Sequence, residues 1–210
     1  MHELIAFVGG GNMAASLIGG LLAAGHPAAR LRVATLAQWL GTAEVVRSMP
    51  NTPALFRCGI SGLYAEPGLP AVSRQRAERV LGSVGETCWV EREAQIDAVT
   101  ALSGCGPAYY FLLTEVLRDA GAALGLDPAV AAQLAHSTFI GAAQMARDAG
   151  EDVAVLRAQV TSKGGSTEAA LAHLEAAGLG RIFQEALAAA DSRARLRGEE
   201  LAQLAASSTN

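Results

Sequence analysis

Apolar residues follow two different spacings along this chain, and the change falls near Gln95. Before it, short apolar runs alternate with glycine-rich breaks. Residues 4–8 (LIAFV) and 31–33 (LRV) are such runs, and their length is typical of strands buried on both faces of a parallel sheet. Residues 12–24 between them show the spacing of a helix, which Gly25 ends. The chain therefore opens with a predicted strand–helix–strand unit.

Shorter elements follow this opening unit, and then helices alone. We predict a short helical turn at 35–40, strands at 44–47, 58–64 and 87–90, a loop at 49–53 and a helix at 73–81. From Gln95 onward we predict helices at 106–124, 128–149, 152–159, 167–176 and 179–206. Asp127 followed by Pro128 predicts an N-cap and the first helical residue. The fold class is thus an α/β domain, over 1–97, followed by an all-α domain, over 98–206.

Composition narrows the classes of function. The net charge is −4 and no basic stretch occurs, so no nucleic-acid partner is expected. No apolar run reaches the length of a membrane span, and the first residues lack the basic start of a signal peptide, so we expect a cytoplasmic protein. The three cysteines and four histidines lack disulfide or metal-ligand spacing, so no metal is expected.

The first glycine-rich break predicts a dinucleotide site. Residues 9–14 (GGGNMA) fit the pattern G-x-G-x-x-G/A after a strand and before a helix. Gly9 and Gly11 let the backbone approach a pyrophosphate, and Asn12 and Met13 open the helix whose N–H groups face it. The alternative is that the glycines only form a tight connection.

The dinucleotide-binding half itself is too short. A complete half needs two more strands with their crossover, and one βαβ unit takes about 30 residues. Only ten residues separate Val33 from Glu44. No acidic residue that would read a ribose follows Val33, since the next residues are Ala34, Thr35 and Leu36. Strands are therefore missing from the predicted sheet.

Four ordered motifs resemble the pyrroline-5-carboxylate reductase family. They are GGGNM at 9–13, RSMPNTPA at 47–54, ALSGCGPAY at 101–109 and VTSKGGSTEAAL at 160–171. Between Val33 and Ala34 that family carries roughly 60 further residues, by the count of two strand–helix units. The resemblance implies a truncated NAD(P)-binding Rossmann-like domain and a helical domain that forms homodimers or larger rings. It also implies hydride transfer from NADPH or NADH to the C=N bond of 1-pyrroline-5-carboxylate, giving L-proline.

The late serine- and glycine-rich loop is the predicted substrate site. It precedes a helix, so the backbone N–H groups of Gly165, Ser166 and Thr167 can face an anion. The alternative is helix capping by Ser166 or Thr167. The resemblance implies that Ser162 and this backbone hold the substrate carboxylate. It implies that Thr167 bonds or protonates the ring nitrogen, and we expect a water or an iminium substrate to supply the proton.

Two further segments are predicted to lie near the cofactor. The loop at 49–53 follows a strand, where α/β sheets place ligands, and we assign Asn51 and Thr52 to the cofactor side. Small residues at 103–109 would let that loop approach the nicotinamide, with Cys105 and Pro107 beside it; a closely packed domain junction is the alternative. Cys105 has no nearby cation or base, so we do not expect a reactive thiol.

Two groups of charged residues are given structural interpretations. Lys163, the only lysine, is interpreted as a solvated charge, although it could attract an anion. Glu115 and Asp119 are interpreted as solvated helix charges in preference to an acid pair.

Two other hypotheses for the function of the chain remain: a non-catalytic remnant that only dimerises, and a β-hydroxyacid dehydrogenase. The second would need a lysine on a helix facing the nicotinamide.

Overall fold

This computed structural model describes the backbone of residues 5–8, 31–34 and 45–207 and the side chains of residues 45–196. The chain divides into two compact units. The first comprises residues 1–107 and 187–210, and the second comprises residues 108–186. The predicted domain ranges, 1–97 and 98–206, stay a prediction.

Two strands of the first unit pair in parallel, as the opening pattern predicts. They are β1 (Ile5–Val8) and β2 (Leu31–Ala34), with Ile5 opposite Leu31 and Val8 opposite Ala34. A parallel pair requires a crossover connection. The helix predicted at 12–24 and the helical turn predicted at 35–40 both lie outside the described residues.

Three more strands of the first unit form a mixed sheet. In the order β3-β4-β5 they are β3 (Arg47–Met49), β4 (Gly59–Tyr64) and β5 (Gly85–Trp89). β4 runs antiparallel to β3 and parallel to β5, and helix α1 (Ala71–Gly82) connects β4 to β5. The strands predicted at 58–64 and 87–90 and the helix predicted at 73–81 are confirmed within two residues at each end.

The position predicted for β3 is wrong. The strand was predicted at 44–47, but it begins at Arg47 and ends at Met49. Arg47 lies opposite Tyr64, the last residue of β4, so Val46 lies beyond the end of that strand. Val46 instead packs against the core, which accounts for the apolar pattern that suggested a strand. The predicted loop at 49–53 contains the start of a 3-10 helix, Thr52–Phe56.

Four buried side chains form the core beside the mixed sheet. They are Ala54, Leu63, Leu81 and Val84, each at most 6% exposed. One close backbone approach lies in the same sheet. A Cβ on Gly85, whose φ is +152°, would overlap the carbonyl oxygen of Gly59. Glycine is therefore required at position 85.

From Gln95 onward the chain is helical, as predicted. Helix α2 (Gln95–Val99) continues into a π-helical turn, Thr100–Gly104. The five later helices are α3 (Gly106–Ala123), α4 (Pro128–Asp148), α5 (Val153–Gln159), α6 (Ser166–Ala176) and α7 (Leu179–Ser207). The predicted cap is confirmed, because Asp127 Oδ1 accepts from the N–H groups of Ala129 (2.9 Å) and Val130 (3.3 Å).

The second unit leaves most of its apolar surface uncovered. Among residues 108–186, all of which the structure describes, Ala131 is the one fully buried side chain. Large apolar side chains along α3 are 39–65% exposed: Tyr110, Phe111, Leu112, Leu113, Val116 and Leu117. Tyr110 stacks on Phe139 with ring centroids 5.9 Å apart. No helix in the described part of the chain is long and apolar enough to cross a membrane.

Candidate active site

The predicted dinucleotide turn begins where β1 ends. Gly9, Gly11, Asn12 and Met13 lie outside the described residues, so their prediction stays untested. The strand that precedes them is in the required arrangement. Because β1 and β2 are parallel and Val8 lies opposite Ala34, both strands end at the same edge of the pair. This is the edge at which parallel sheets place a dinucleotide.

The predicted substrate loop ends in a helix start that has no side-chain cap. Helix α6 begins at Ser166, and its N-cap residue is Gly165, with no side-chain hydrogen bond at the cap. Ser166 and Thr167 are therefore the first two residues of the helix, and neither is the N-cap that the capping alternative required. The first N–H groups of a helix have no partner within it, and here a glycine precedes them. This arrangement suits an anion.

Two hydrogen bonds close the loop in front of α6. The N–H of Gly165 donates to the carbonyl oxygen of Ser162 at 3.0 Å, and the N–H of Gly164 donates to Glu168 Oε2 at 2.7 Å. Gly164 has a φ of +73°, in the region that favours glycine. A Cβ on Gly165 would overlap Ser162 Oγ, so the serine side chain folds over the glycine. Ser162, Ser166 and Thr167 are all exposed.

Asn51 is one of the two residues that the sequence assigned to the cofactor side after β3. It is 9% exposed, and both ends of its amide are bonded. Oδ1 accepts from the N–H of Ile60 at 3.0 Å, and Nδ2 donates to Ser103 Oγ at 3.2 Å. Thr52, the other assigned residue, is exposed. Asn51 therefore fastens the loop after β3 both to β4 and to the turn before α3.

The π-helical turn approaches the same loop at a second point. A Cβ on Gly104 would lie 2.5 Å from Met49 Cε, so a larger residue would displace the methionine tip. Within the turn, the N–H of Cys105 donates to the carbonyl oxygen of Thr100 at 2.9 Å, a five-residue spacing. Single π turns inside helices are frequent at functional sites.

The structure thus brings together two segments that the sequence indicated separately, 49–53 and 103–107, both in the first unit. Cys105 and Pro107 are half-buried there, and Gly106 is buried. Arg47 supports this arrangement, because it binds Glu93 (3.0 Å) and Asp97 (3.5 Å) on the segment that leads into the turn. Ser103 was not among the predicted site residues. Its motif was visible, but its partner lies 52 positions away.

The remaining candidate groups form no site in the described part of the chain. Arg118 lies between Glu115 and Asp119 and binds both, with its Nε 2.7 Å from Asp119 Oδ1. A hydrogen bond from Arg118 lowers the pKa of Asp119. Both carboxylates thus pair with an arginine on the same helix. Among residues 45–196, no group of His, Cys, Asp and Glu could hold a metal ion.

Comparisons with known proteins agree with the motifs. The family described as pyrroline-5-carboxylate reductase dimerisation matches residues 93–196. A pyrroline-5-carboxylate reductase of Pseudomonas aeruginosa is 38% identical over 268 residues, covering 95% of this chain and 98% of the relative. One of Haemophilus influenzae is 33% identical over 263 residues, covering 92% and 97%.

Solved structures show the same relationship. A pyrroline-5-carboxylate reductase of Coxiella burnetii superposes with a TM-score of 0.82 at 31% identity, covering 93% of this chain and 98% of that one. A Plasmodium falciparum pyrroline carboxylate reductase with NADP bound has a TM-score of 0.73 at 23% identity, over 92% of this chain and 100% of that one, and shares the fold.

The alignment with the Pseudomonas aeruginosa protein also bears on chain length. It spans 268 residues, whereas 95% of 210 residues is about 200, so about 68 aligned positions of the relative have no residue here. That number is compatible with the roughly 60 residues expected from two absent strand–helix units.

Proposed function

Because the chain belongs to the pyrroline-5-carboxylate reductase family, we propose that it reduces the C=N bond of 1-pyrroline-5-carboxylate with NADPH or NADH to give L-proline. A hydride passes to the imine carbon and a proton to the ring nitrogen. The observation that carries the proposal is the uncapped start of α6 at Gly165, which suits the carboxylate of a small amino-acid precursor.

The loop before α6 would bind the substrate and orient its ring. The N–H groups of Ser166 and Thr167, aided by the helix dipole, would hold the carboxylate, with Ser162 Oγ beside them. Gly165, which the sequence also assigned to this contact, would shape the loop instead, because its own N–H donates to the carbonyl oxygen of Ser162. Fixing the carboxylate would place the ring nitrogen near the Thr167 hydroxyl. A threonine is too weak an acid to supply the proton itself. Its role is to orient the nitrogen, and the proton comes from water or arrives on an iminium substrate.

The dinucleotide would bind at one end of the strand pair. Gly9 and Gly11 would hold the pyrophosphate at the common edge of β1 and β2, with Asn12 and Met13 at the helix start. When bound, the reduced nicotinamide supplies the hydride. The half-buried segment at Cys105 and Pro107, held against Asn51, would flank it, with exposed Thr52 alongside. We place the absent residues between Val33 and Ala34, where the family motifs join.

The second unit provides the assembly. Residues 93–196 match the family's dimerisation region, and α3 carries a nearly continuous apolar surface. A homodimer would cover this surface and remove it from water.

We also place the enzyme in the cytoplasm, because Cys58, Cys88 and Cys105 are all free thiols.

The test is the consumption of NADPH by the purified, folded chain, dependent on pyrroline-5-carboxylate. Thr167→Val should lower kcat about tenfold, the value of one lost hydrogen bond of roughly 1.4 kcal/mol, while Thr167→Ser should retain activity. Thr114→Val removes a hydroxyl that bonds only the helix carbonyl of Tyr110, and serves as the matched control. A folded chain without turnover would remove the proposal.

A second candidate function rests on the unmatched positions. With about 68 aligned positions absent, the chain is alternatively a non-catalytic dimer that keeps only the helical assembly. Titration of NADPH against the folded dimer separates the two candidates. Micromolar binding supports the reductase, and lack of binding supports the dimer without catalysis.

A further inference from the structure

The orientation of the Asn51 amide follows from one partner. A backbone N–H can only donate, so the atom facing Ile60 N at 3.0 Å must be the amide oxygen. The other end is then the NH₂ group, and it faces Ser103 Oγ at 3.2 Å. The Ile60 N–H therefore removes the usual ambiguity between the oxygen and nitrogen of an asparagine.

This orientation decides the role of the Ser103 hydroxyl. Since the Asn51 NH₂ group only donates, Ser103 Oγ accepts that bond and keeps its own proton for another partner. Within the described residues, no acceptor takes this proton. Ser103 is half-buried, and its neighbours Gly104 and Gly106 present no side chain. Because Ser103 Oγ accepts a hydrogen bond from Asn51, its own O–H proton points away from Asn51 and is available to a further acceptor.

We propose that the Ser103 hydroxyl donates a hydrogen bond to a carbonyl or carboxylate oxygen of a bound ligand, and that Asn51 is the positioning residue that enforces this polarity. The inference rests on the proposed function, which supplies two such oxygens. One is on the carboxamide of the nicotinamide, and the other is on the carboxylate of the imine.

The experiment reverses the direction of the hydrogen bond between residue 51 and Ser103 while keeping the bond from the Ile60 N–H to residue 51. Asn51→Asp retains an oxygen that accepts from Ile60 N–H, but it presents a second acceptor to Ser103, which must then donate inward. Asn51→Asp and Ser103→Ala should each weaken the affected ligand about tenfold, the cost of one such bond to an oxygen acceptor. The double variant should be no weaker than Asn51→Asp alone, because the same bond is lost only once.

Two measurements separate the ligand sources. Calorimetric titration with NADPH and with L-proline gives dissociation constants without turnover, and steady-state kinetics gives KM for each substrate. A loss confined to NADPH assigns the carboxamide, and a loss confined to L-proline and the imine assigns the carboxylate. Ser103→Thr keeps a hydroxyl and should restore affinity. Ser83→Ala is the matched control, because its hydroxyl bonds only the carbonyl of Val80 in the same unit.

Unchanged dissociation constants and KM values in Ser103→Ala overturn the inference, as does an additive double variant. A parent chain that binds neither NADPH nor L-proline also overturns it. A parent that binds these ligands without turnover removes the proposed activity alone, and the binding measurements still decide the role of Ser103.

Discussion

The Glu168 carboxylate accepts a hydrogen bond from the backbone N–H of Gly164, with Oε2 2.7 Å from the nitrogen. Glu168 is the third residue of α6 and reaches back across the helix start, as the acid of a capping box does. The N-cap, Gly165, has no side chain to complete the box. The loop is thus closed by an anion that lies beside the proposed carboxylate site.

Two substitutions of Glu168 should separate the effect of its hydrogen bond on KM from the effect of its charge. Glu168→Gln keeps an acceptor for Gly164 N–H and removes the negative charge, so KM for the imine should stay unchanged or fall. Glu168→Ala frees the loop and should raise KM several-fold, at a stability cost of about 0.5–1 kcal/mol. Steady-state kinetics and thermal unfolding measure both effects. An equal rise of KM in both variants would assign the effect to charge.

Gly85 is expected to be the least replaceable glycine of the mixed sheet. Gly85→Ala combines a φ of +152° with overlap on the Gly59 carbonyl and should destabilise the chain by more than about 2 kcal/mol. Gly82→Ala is the control. It ends α1 in open space and should change stability by at most about 0.5 kcal/mol. Urea unfolding at one protomer concentration compares them, and equal midpoints would contradict the predicted overlap.

The exposed apolar residues of α3 predict the dimer interface. Leu117→Glu replaces a side chain that is 61% exposed in one protomer with a charge that an interface cannot solvate. It should shift the chain from dimer to monomer at micromolar concentration, as measured by light scattering. Glu115→Gln on the same helix should leave the dimer intact. A Leu117→Glu variant that remains dimeric would exclude this part of α3 from the interface.

The hydrogen bond from Arg118, followed by its charge, holds the pKa of Asp119 below its ordinary value of 3.8. Because the folded-state pKa is lowered, the interaction is fully present above about pH 3.8 and is lost as the pH falls through the folded value. Arg118→Gln should return the Asp119 pKa toward 3.8. NMR titration of the Asp119 carboxyl in the parent chain and in the variant measures it, and an unchanged midpoint would contradict the assignment.

Local chemistry made most elements predictable. The Asp127–Pro128 pair marks the start of α4 because a carboxylate can accept the first helical N–H groups and proline needs no donor. Short apolar runs predicted β1, β2, β4 and β5, because strands buried in a sheet need apolar side chains. β3 was misplaced because Val45 and Val46 have the composition of a strand, whereas pairing depends on where β4 ends.

The site was less predictable than the fold. Glycine at 164 and 165 indicated a loop before α6, but the sequence pattern did not distinguish Gly165 from Ser166 as the N-cap. The link from Asn51 to Ser103 joins residues 52 positions apart, and no periodic pattern encodes such a pair. A π turn differs from an α turn by one backbone register, which composition does not reveal.

The four residues of the mixed sheet's core, from Ala54 to Val84, come from one short stretch of chain. Contacts within such a stretch close short loops, and closing a short loop costs less entropy than closing a long one. Its strands, core and connecting helix all follow Val45. A change in the length of the chain upstream of that point therefore leaves the order of these elements and the four core residues in place.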